Sequence, residues 1–261
     1  MSLTDKTIAN SYKDLLQVDN SNNGITTTVK QIKDGDGTGS VLGLCDDHIV
    51  IQPQTDDNTT ALRVRTKGGT DVLVADTTNN LVTASGNYVN TQYAHFGISS
   101  ANSSNYVANT HYPIPFHIGM AVGDSDVDFG TGTDPSTSFT TADTDTQYAG
   151  QIVPMMWRVP DAIVIDSVTH IEGADAATGD TTRMHLMSFD FTSGSTSCLA
   201  NGTLLAHNSD VTNAGNEQAY LSTWTVDSSS VAASKIVLCF FRSDSVNSDF
   251  SLNVTVKYHL T

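Results

Sequence analysis

Glutamate is almost missing from this 261-residue chain: Glu172 and Glu217 are the only two, although Asp and Glu together number 28. Nearly all the acid is aspartate, which suits turns and loops better than helix surfaces, so helices are expected to be scarce. Basic residues are few as well, 12 Lys and Arg in all, giving a formal net charge of -16. A field of that sign repels nucleic acid and anionic lipid, and the expectation is no nucleic-acid partner. The shortage of lysine beside so much aspartate also suits a protein that stays soluble in salty surroundings. No run approaches the roughly 18 apolar residues of a membrane span, and the start MSLTDKTIAN lacks the charged and apolar regions of a signal peptide, so neither membrane insertion nor that route of secretion is expected. The three cysteines, Cys45, Cys198 and Cys239, are odd in number and far apart. That argues against a disulfide framework or a paired-thiol zinc site, and they read as reduced and buried.

The usual marks of chemistry are absent too. There is no Gly-x-Ser-x-Gly elbow, no His-Glu-x-x-His, no phosphate-binding Gly-Lys-Ser/Thr loop and no dinucleotide fingerprint. The histidines are scattered; His111 and His117 are the pair with a chance of converging, and a structural or solvated role is the expectation for them. A free-standing carbohydrate-active enzyme would need two carboxylates across a cleft, and 28 carboxylates nominate no pair. The chain therefore reads as non-enzymatic and as needing no cofactor.

What is present is a strand-forming rhythm. Apolar residues make up 38% of the chain, enough for a core, and arrive in short bursts separated by Thr, Ser, Asn, Asp and Gly. In the first segment Ile8, Tyr12, Leu15 and Leu16 stand at helical spacing, although the same stretch also fits a strand. Too small to fold alone, residues 1–22 read as an anchor that docks on a partner or a neighbouring subunit through those four side chains. From residue 23 to 90 short runs alternate with tight turns: ITTTVKQI, DGDGTGS, VLGL, CDDH, IVIQP, QTDDNTT, ALRVRT, KGGT, DVLVAD, TTNN, LVTA. Strands this short bury little surface within one chain, and association of several copies, most economically three, is expected to cover them.

This first third resembles the N-terminal and shaft-type repeats of tailed-phage virion proteins, of the marine-phage-like short tail-fibre, head-fibre and capsid-decoration type. There a strand ends in a Gly turn, a second carries a Val-x-Val-Asp pattern, and an Asn-rich turn leads to the next apolar pair. The matching positions here are Leu62, Val64, Gly68, Gly69, Val72, Val74, Asp76, Asn79, Asn80 and Val82. The resemblance implies a structural role on the virion surface after synthesis in the host cytoplasm, with capsid or tail proteins and its own copies as partners.

Residues 91–110 read as a joint, dense in Ser and Asn and leading to the run HYPIPF. Residues 111–261 then offer about eight strand candidates: FHIGMAV, QIVPMMWRV, AIVIDSVTHIE, RMHLMSFDF, GTLLAH, QAYLSTWTV, KIVLCFFRS and FSLNVTVKYHL. In the last of these Phe250, Leu252, Val254, Val256, Tyr258 and Leu260 share one face. KIVLCFF is apolar on both faces, as for a central strand covered on one side by the core and on the other by a neighbouring subunit. The fold class is therefore all-β: a short shaft-like region followed by a jelly-roll-like β-sandwich knob, in a homotrimer.

Two features are weighed as ligand sites. The carboxylates of DGDG, of DSDVD (Asp124, Asp126, Asp128) and of DTD are close enough to hold Ca²⁺. An EF-hand loop beginning at Asp124 would, however, need Gly and Glu where Phe129 and Pro135 stand, and solvated turn carboxylates are the plainer reading. Trp157 and Trp224, with Tyr148 and Tyr220, are the kind of side chain that stacks on sugar rings, against a plainer role in core or intersubunit packing. Two functions follow: a fibre or decoration that stabilises the particle, or a tail fibre whose knob recognises a host-surface glycan.

Overall fold

The structure is a computed structural model that describes residues 15–21, 23–101, 107–119, 127–141, 149–175, 178–215, 218–245 and 249–261. The chain is all-β and divides into two compact units, Met1–Val89 and Asn90–Thr261. Of the anchor side chains, Ile8 and Tyr12 lie outside the described residues, while Leu15 and Leu16 are exposed and outside any element.

The first unit is built from two separate four-stranded antiparallel sheets. One joins β1 (Gln17–Val18), β2 (Lys30–Lys33), β3 (Gly39–Leu44) and β4 (Ile49–Ile51), and the other β5 (Leu62–Arg65), β6 (Asp71–Asp76), β7 (Leu81–Ala84) and β8 (Asn87–Tyr88). Of ITTTVKQI only the last part is strand, from Lys30, because a Thr-rich start offers few side chains to bury. The turns close as their residues demand. In KGGT the Thr66 and Thr70 backbones pair across Gly69, whose φ of +88° is in the left-handed region that a glycine enters without strain. In TTNN the Asp76 carboxylate accepts from both the backbone and the side chain of Asn79.

Register decides which face is apolar. Opposed pairs Leu62 and Ala75, Val64 and Leu73, Ala75 and Val82, and Leu73 and Ala84 put six apolar side chains on one face of the second sheet. None of the six is buried, and Val64 is 49% exposed. In the first sheet Val41, Ile49 and Ile51 are exposed as well. Among the described residues the unit buries only two apolar side chains, Ile32 and Cys45.

The second unit contains β9 (Thr91–Ala101), β10 (Tyr112–Ile114), β11 (His117–Gly119), the short helix α1 (Ala149–Ile152), β12 (Trp157–Arg158), β13 (Ile163–Asp175), β14 (Thr181–Phe191), β15 (Leu199–His207), β16 (Val211–Thr212), β17 (Gln218–Thr223), β18 (Thr225–Val226), β19 (Ser230–Val231), β20 (Ile236–Ser243) and β21 (Asp249–Leu260). Seven of these strands form a sheet whose spine runs β10-β20-β14-β15-β18, and six form a second with the spine β11-β9-β21-β13-β17. Most pairings are antiparallel, and β9 with β11 is parallel. The sheets pack face to face through one continuous core. Phe241 meets Phe250 at 5.0 Å between ring centres, and Trp157 lies among Phe96, Phe116 and Tyr258.

Three expectations change here. The first half of the joint is no connector: residues 91–101 form β9, paired along its length with β21, because Ala94, Phe96 and Ile98 alternate and face the core. In QIVPMMWRV only Trp157–Arg158 is strand. The residues before it make α1 and a 3₁₀ turn at Val153–Met155, where Pro154 lacks the N–H a ladder requires. The outer face of KIVLCFF is covered by the chain itself, not by a neighbouring subunit. The segment 127–141 crosses the seven-stranded sheet and sets Phe129 4.7 Å from Phe240 and 5.8 Å from Phe189, with Phe139 stacked beneath. It is tied down by Phe139 pairing with Leu199 and by the Gly202 amide donating to the Thr137 carbonyl at 2.7 Å. A Cβ at Gly202 would come within 2.7 Å of Thr137 backbone, so glycine is what lets the cover lie this close. The alternation expected for the last strand is found, with Phe250, Leu252, Val254 and Val256 buried.

Candidate functional site

The ends of two of the most deeply buried strands, β14 and β20, carry the polar chemistry. Along β14 the side chains alternate, so Arg183, His185, Met187 and Phe189 stand on the outer face of their sheet while Thr182, Met184 and Leu186 face the inter-sheet core. Opposite them on β20, Arg242 pairs with Arg183 and Phe240 with His185. Two antiparallel strands that are core along most of their length thus carry, at one shared end, a pair of guanidinium groups.

Around that pair lies a cleft of about 230 Å³, lined by Asn109, Thr181, Arg183, Asp210, Arg242 and Asp244. Arg242 donates from Nε to the Asn109 carbonyl at 3.2 Å and from Nη2 to Asn109 Oδ1 at 3.0 Å. Arg183 Nε is 2.7 Å from Asp210 Oδ1, yet its N–H is not aimed at that oxygen and makes no hydrogen bond. Asp244 Oδ1 accepts from the Thr181 amide at 2.7 Å. The cleft thus holds two cationic forks and two carboxylates, each carboxylate engaged at one oxygen.

Next to it three histidine rings form a row on the same outer face: His111 lies 4.9 Å from His185, and His185 lies 6.4 Å from His207. His111 Nε2 is 3.0 Å from the Gly132 carbonyl, and His185 Nε2 is 3.5 Å from Asp134, both acceptors on the covering segment. His207 Nδ1 is 2.8 Å from Asp227. Burial pushes both His111 and His185 below the usual imidazole range, and His185, with His111, Arg183, His207 and Arg242 adding repulsion, is taken down to about 3. His117 does not join this row; its ring packs on Phe116 at 4.1 Å.

The inner face holds a second polar cluster, fully enclosed. Trp224 Nε1 donates to His170 Nδ1 at 2.7 Å, His170 Nε2 is 3.1 Å from Glu172, and Thr182 Oγ1 is 2.8 Å from the same carboxylate. Because an indole N–H only donates, His170 Nδ1 must accept, which fixes the proton on Nε2 and aims it at Glu172. All four residues are buried, so the chain of contacts links the two sheets and reaches no solvent.

The residues singled out from the sequence fall elsewhere. Trp157 and Trp224 are 6% and 5% exposed, so neither offers a ring face to a sugar; Trp157 on β12 and Trp224 between β17 and β18 both point into the core, the plainer of the two roles, and the ligand-stacking alternative is corrected. Tyr148 lies outside the described residues, and the Tyr220 hydroxyl is held by the Ala214 amide and Asn213. Of the DSDVD carboxylates, Asp124 and Asp126 lie outside the described residues, while Asp128 accepts from the Gly130 amide within its own turn. Asp34 of DGDG likewise closes its turn through the amides of Asp36 and Thr38. Among the described residues no three His, Cys, Asp or Glu side chains converge as metal ligands. Cys45, Cys198 and Cys239 are unpaired and buried, and burial raises the thiols of Cys198 and Cys239 above their ordinary range. Among the described residues no helix is long and apolar enough to cross a membrane.

Arg183 and Arg242 were not nominated by sequence. The available signal was an arginine near one end of each of two strongly apolar runs, in a chain with 12 basic residues; that the two are opposed follows only from strand register. No protein-family model matches the chain, and no curated protein is significantly similar to it in sequence.

Proposed function

We propose that the chain is a non-enzymatic structural component of a tailed-phage virion, a homotrimeric fibre or decoration protein that attaches to the capsid or tail. In this reading residues 1–22 anchor it, the first unit serves as a shaft-like region, and the second is a jelly-roll-like knob at the particle surface. The observation that carries it is the six-residue apolar face of Leu62, Val64, Leu73, Ala75, Val82 and Ala84, none of them buried and half of them exposed, in a unit with two buried apolar side chains among its described residues. A sheet with an open apolar face is not independently stable in water and acquires its core from other copies. The first sheet supports the same reading, with Val29, Val41 and Val50 lining a shallow groove and Ile49 and Ile51 exposed. Two different apolar surfaces on one unit favour head-to-tail contacts, which close into a ring, and three copies is the smallest such ring.

A second reading, a receptor-binding tail fibre whose knob recognises a host-surface glycan, is favoured by the cleft of Arg183 and Arg242, a concave polar site on the knob. The carboxylates there are already held, Asp210 beside Arg183 and Asp244 by the Thr181 amide, which suits binding better than acid–base catalysis.

The test is the mass of the full chain in solution by light scattering. A species of three times the 27.8 kDa chain mass is expected, and Leu73→Asp, which puts a charge into the shared face, is expected to yield a monomer whose second unit stays folded. A folded wild-type monomer at micromolar concentration overturns the proposal.

A further inference from the structure

The opposed arginines of the cleft are the least expected feature of this molecule. Like charges directly across two strands repel and cost stability, and a chain with 12 basic and 28 acidic residues does not bring two guanidinium groups together by abundance. Such a pair persists where something else uses it. Asn109 fixes the plane of Arg242 through Nε and Nη2, and Arg183 keeps a buried Nε–H without a hydrogen bond although a carboxylate stands beside it. With Nε of both residues facing protein acceptors, Arg242 Nη1 and the Nη groups of Arg183 are the donors left on the cleft lining, and two guanidinium groups held side by side in this way match a planar carboxylate.

The rest of the lining narrows the ligand. Asp210 and Asp244 bring the fixed charge of the cleft to zero, so a bare anion gains little there. Each carboxylate has one oxygen engaged and can still accept from ligand hydroxyls. A polyanion would also meet the net charge of -16, which opposes its approach. A molecule with one carboxylate and several hydroxyls satisfies both halves of the site, and about 230 Å³ accommodates a single pyranose ring.

We propose that this cleft binds a carboxylated sugar, a terminal acidic residue of a surface glycan, with its carboxylate across Arg183 and Arg242 and its ring hydroxyls on Asp210 and Asp244. The proposal rests on the receptor-binding reading and supplies its ligand class.

The full chain would be titrated calorimetrically with N-acetylneuraminic acid, D-glucuronic acid, methyl β-D-glucoside and sodium acetate. Saturable binding of at least one acidic sugar is expected, weakened about tenfold or more by Arg242→Gln and also by Arg183→Lys, which keeps the charge but loses the forked donation. Arg65→Gln, in the other unit, is expected to leave binding unchanged. Acetate binding as tightly as the sugars reduces the site to an anion hole and overturns the proposal. Binding of the neutral glucoside that Arg242→Gln does not touch overturns it too, while leaving glycan recognition by the knob standing. Absence of saturation by either acidic sugar in a chain whose unfolding transition is intact also overturns it.

Discussion

In the second unit every sheet face rich in Val, Ile, Leu and Phe has a cover: the other sheet on one side of β20, and the segment 127–141 on the other. In the first unit the same residue types stand at the same two-residue period, on strands of similar regularity, yet none of the six on the apolar face of the second sheet is buried. Alternation alone therefore fixes which residues share a face. Whether that face is buried depends on strand length and on there being a second layer. The strands of the first unit run from two to six residues, whereas β13 has 13 and β21 has 12. Long strands with one face fully buried against a second layer give a unit that carries its own stability, and short ones give a unit that borrows it from neighbours.

The sharpest way to break that comparison is Phe240→Ala. The ring touches Phe129 and Phe189 beneath the covering segment, and its removal is expected to cost about 3–5 kcal/mol in urea unfolding of the second unit. The loss should be the same at every protein concentration, whereas the stability of the first unit should rise with concentration as copies assemble.

Acid provides a smaller and graded effect. His185 in the fold titrates at about 3 against 6.5 for a free imidazole, so between those values the unfolded chain takes up a proton that the folded one refuses. Stability from this group is full above pH 6.5 and falls as pH drops toward 3, by at most about 1.4 kcal/mol per pH unit. The expected signature is a declining melting temperature of the second unit through that window, flattened in His185→Phe. A decline that is unchanged in the variant would place the sensitivity elsewhere.

The smallest effect is expected in the first unit. Arg65 Nε meets Asp71 at 2.6 Å, but both side chains are more than a third exposed, and Arg65→Ala is expected to change stability by no more than about 1 kcal/mol. A larger loss, measured with the assembly state held fixed, would mean that this edge lies inside an interface.

The legible part of the chain was its local grammar. Gly and Asn turns marked the ends of β5, β6 and β7, and the last strand showed its buried face directly in the spacing of Phe250, Leu252 and Val254. What stayed hidden depended on pairing between distant segments. Residues 91–101 looked like a joint because Ser and Asn crowd their end, and only β21 alongside makes them a strand. The cover on KIVLCFF comes from about a hundred residues earlier in the chain, so an apolar outer face was indistinguishable from a subunit contact. For Trp157 and Trp224 sugar stacking stood as an alternative to packing because exposure is not written in a short motif. Arg183 and Arg242 are 59 positions apart, and nothing nearer than the sheet register brings them together.

The pairing of β9 with β21 also sets the order in which the molecule can be made. The first strand of the second unit waits for the last: Thr91 is partnered by His259, and Ala101 by Phe250. Since β21 lies between β9 and β13, its absence would not trim an edge but leave a gap in the middle of the six-stranded sheet. During synthesis β9 and β13 have nothing to join them, and the core-facing side chains they share have no complete sheet, until the twelve residues of β21 have left the ribosome. A chain shortened by those residues is then expected to be recovered as aggregate instead of as a smaller knob, and this C-terminal strand acts as the lock on the whole unit.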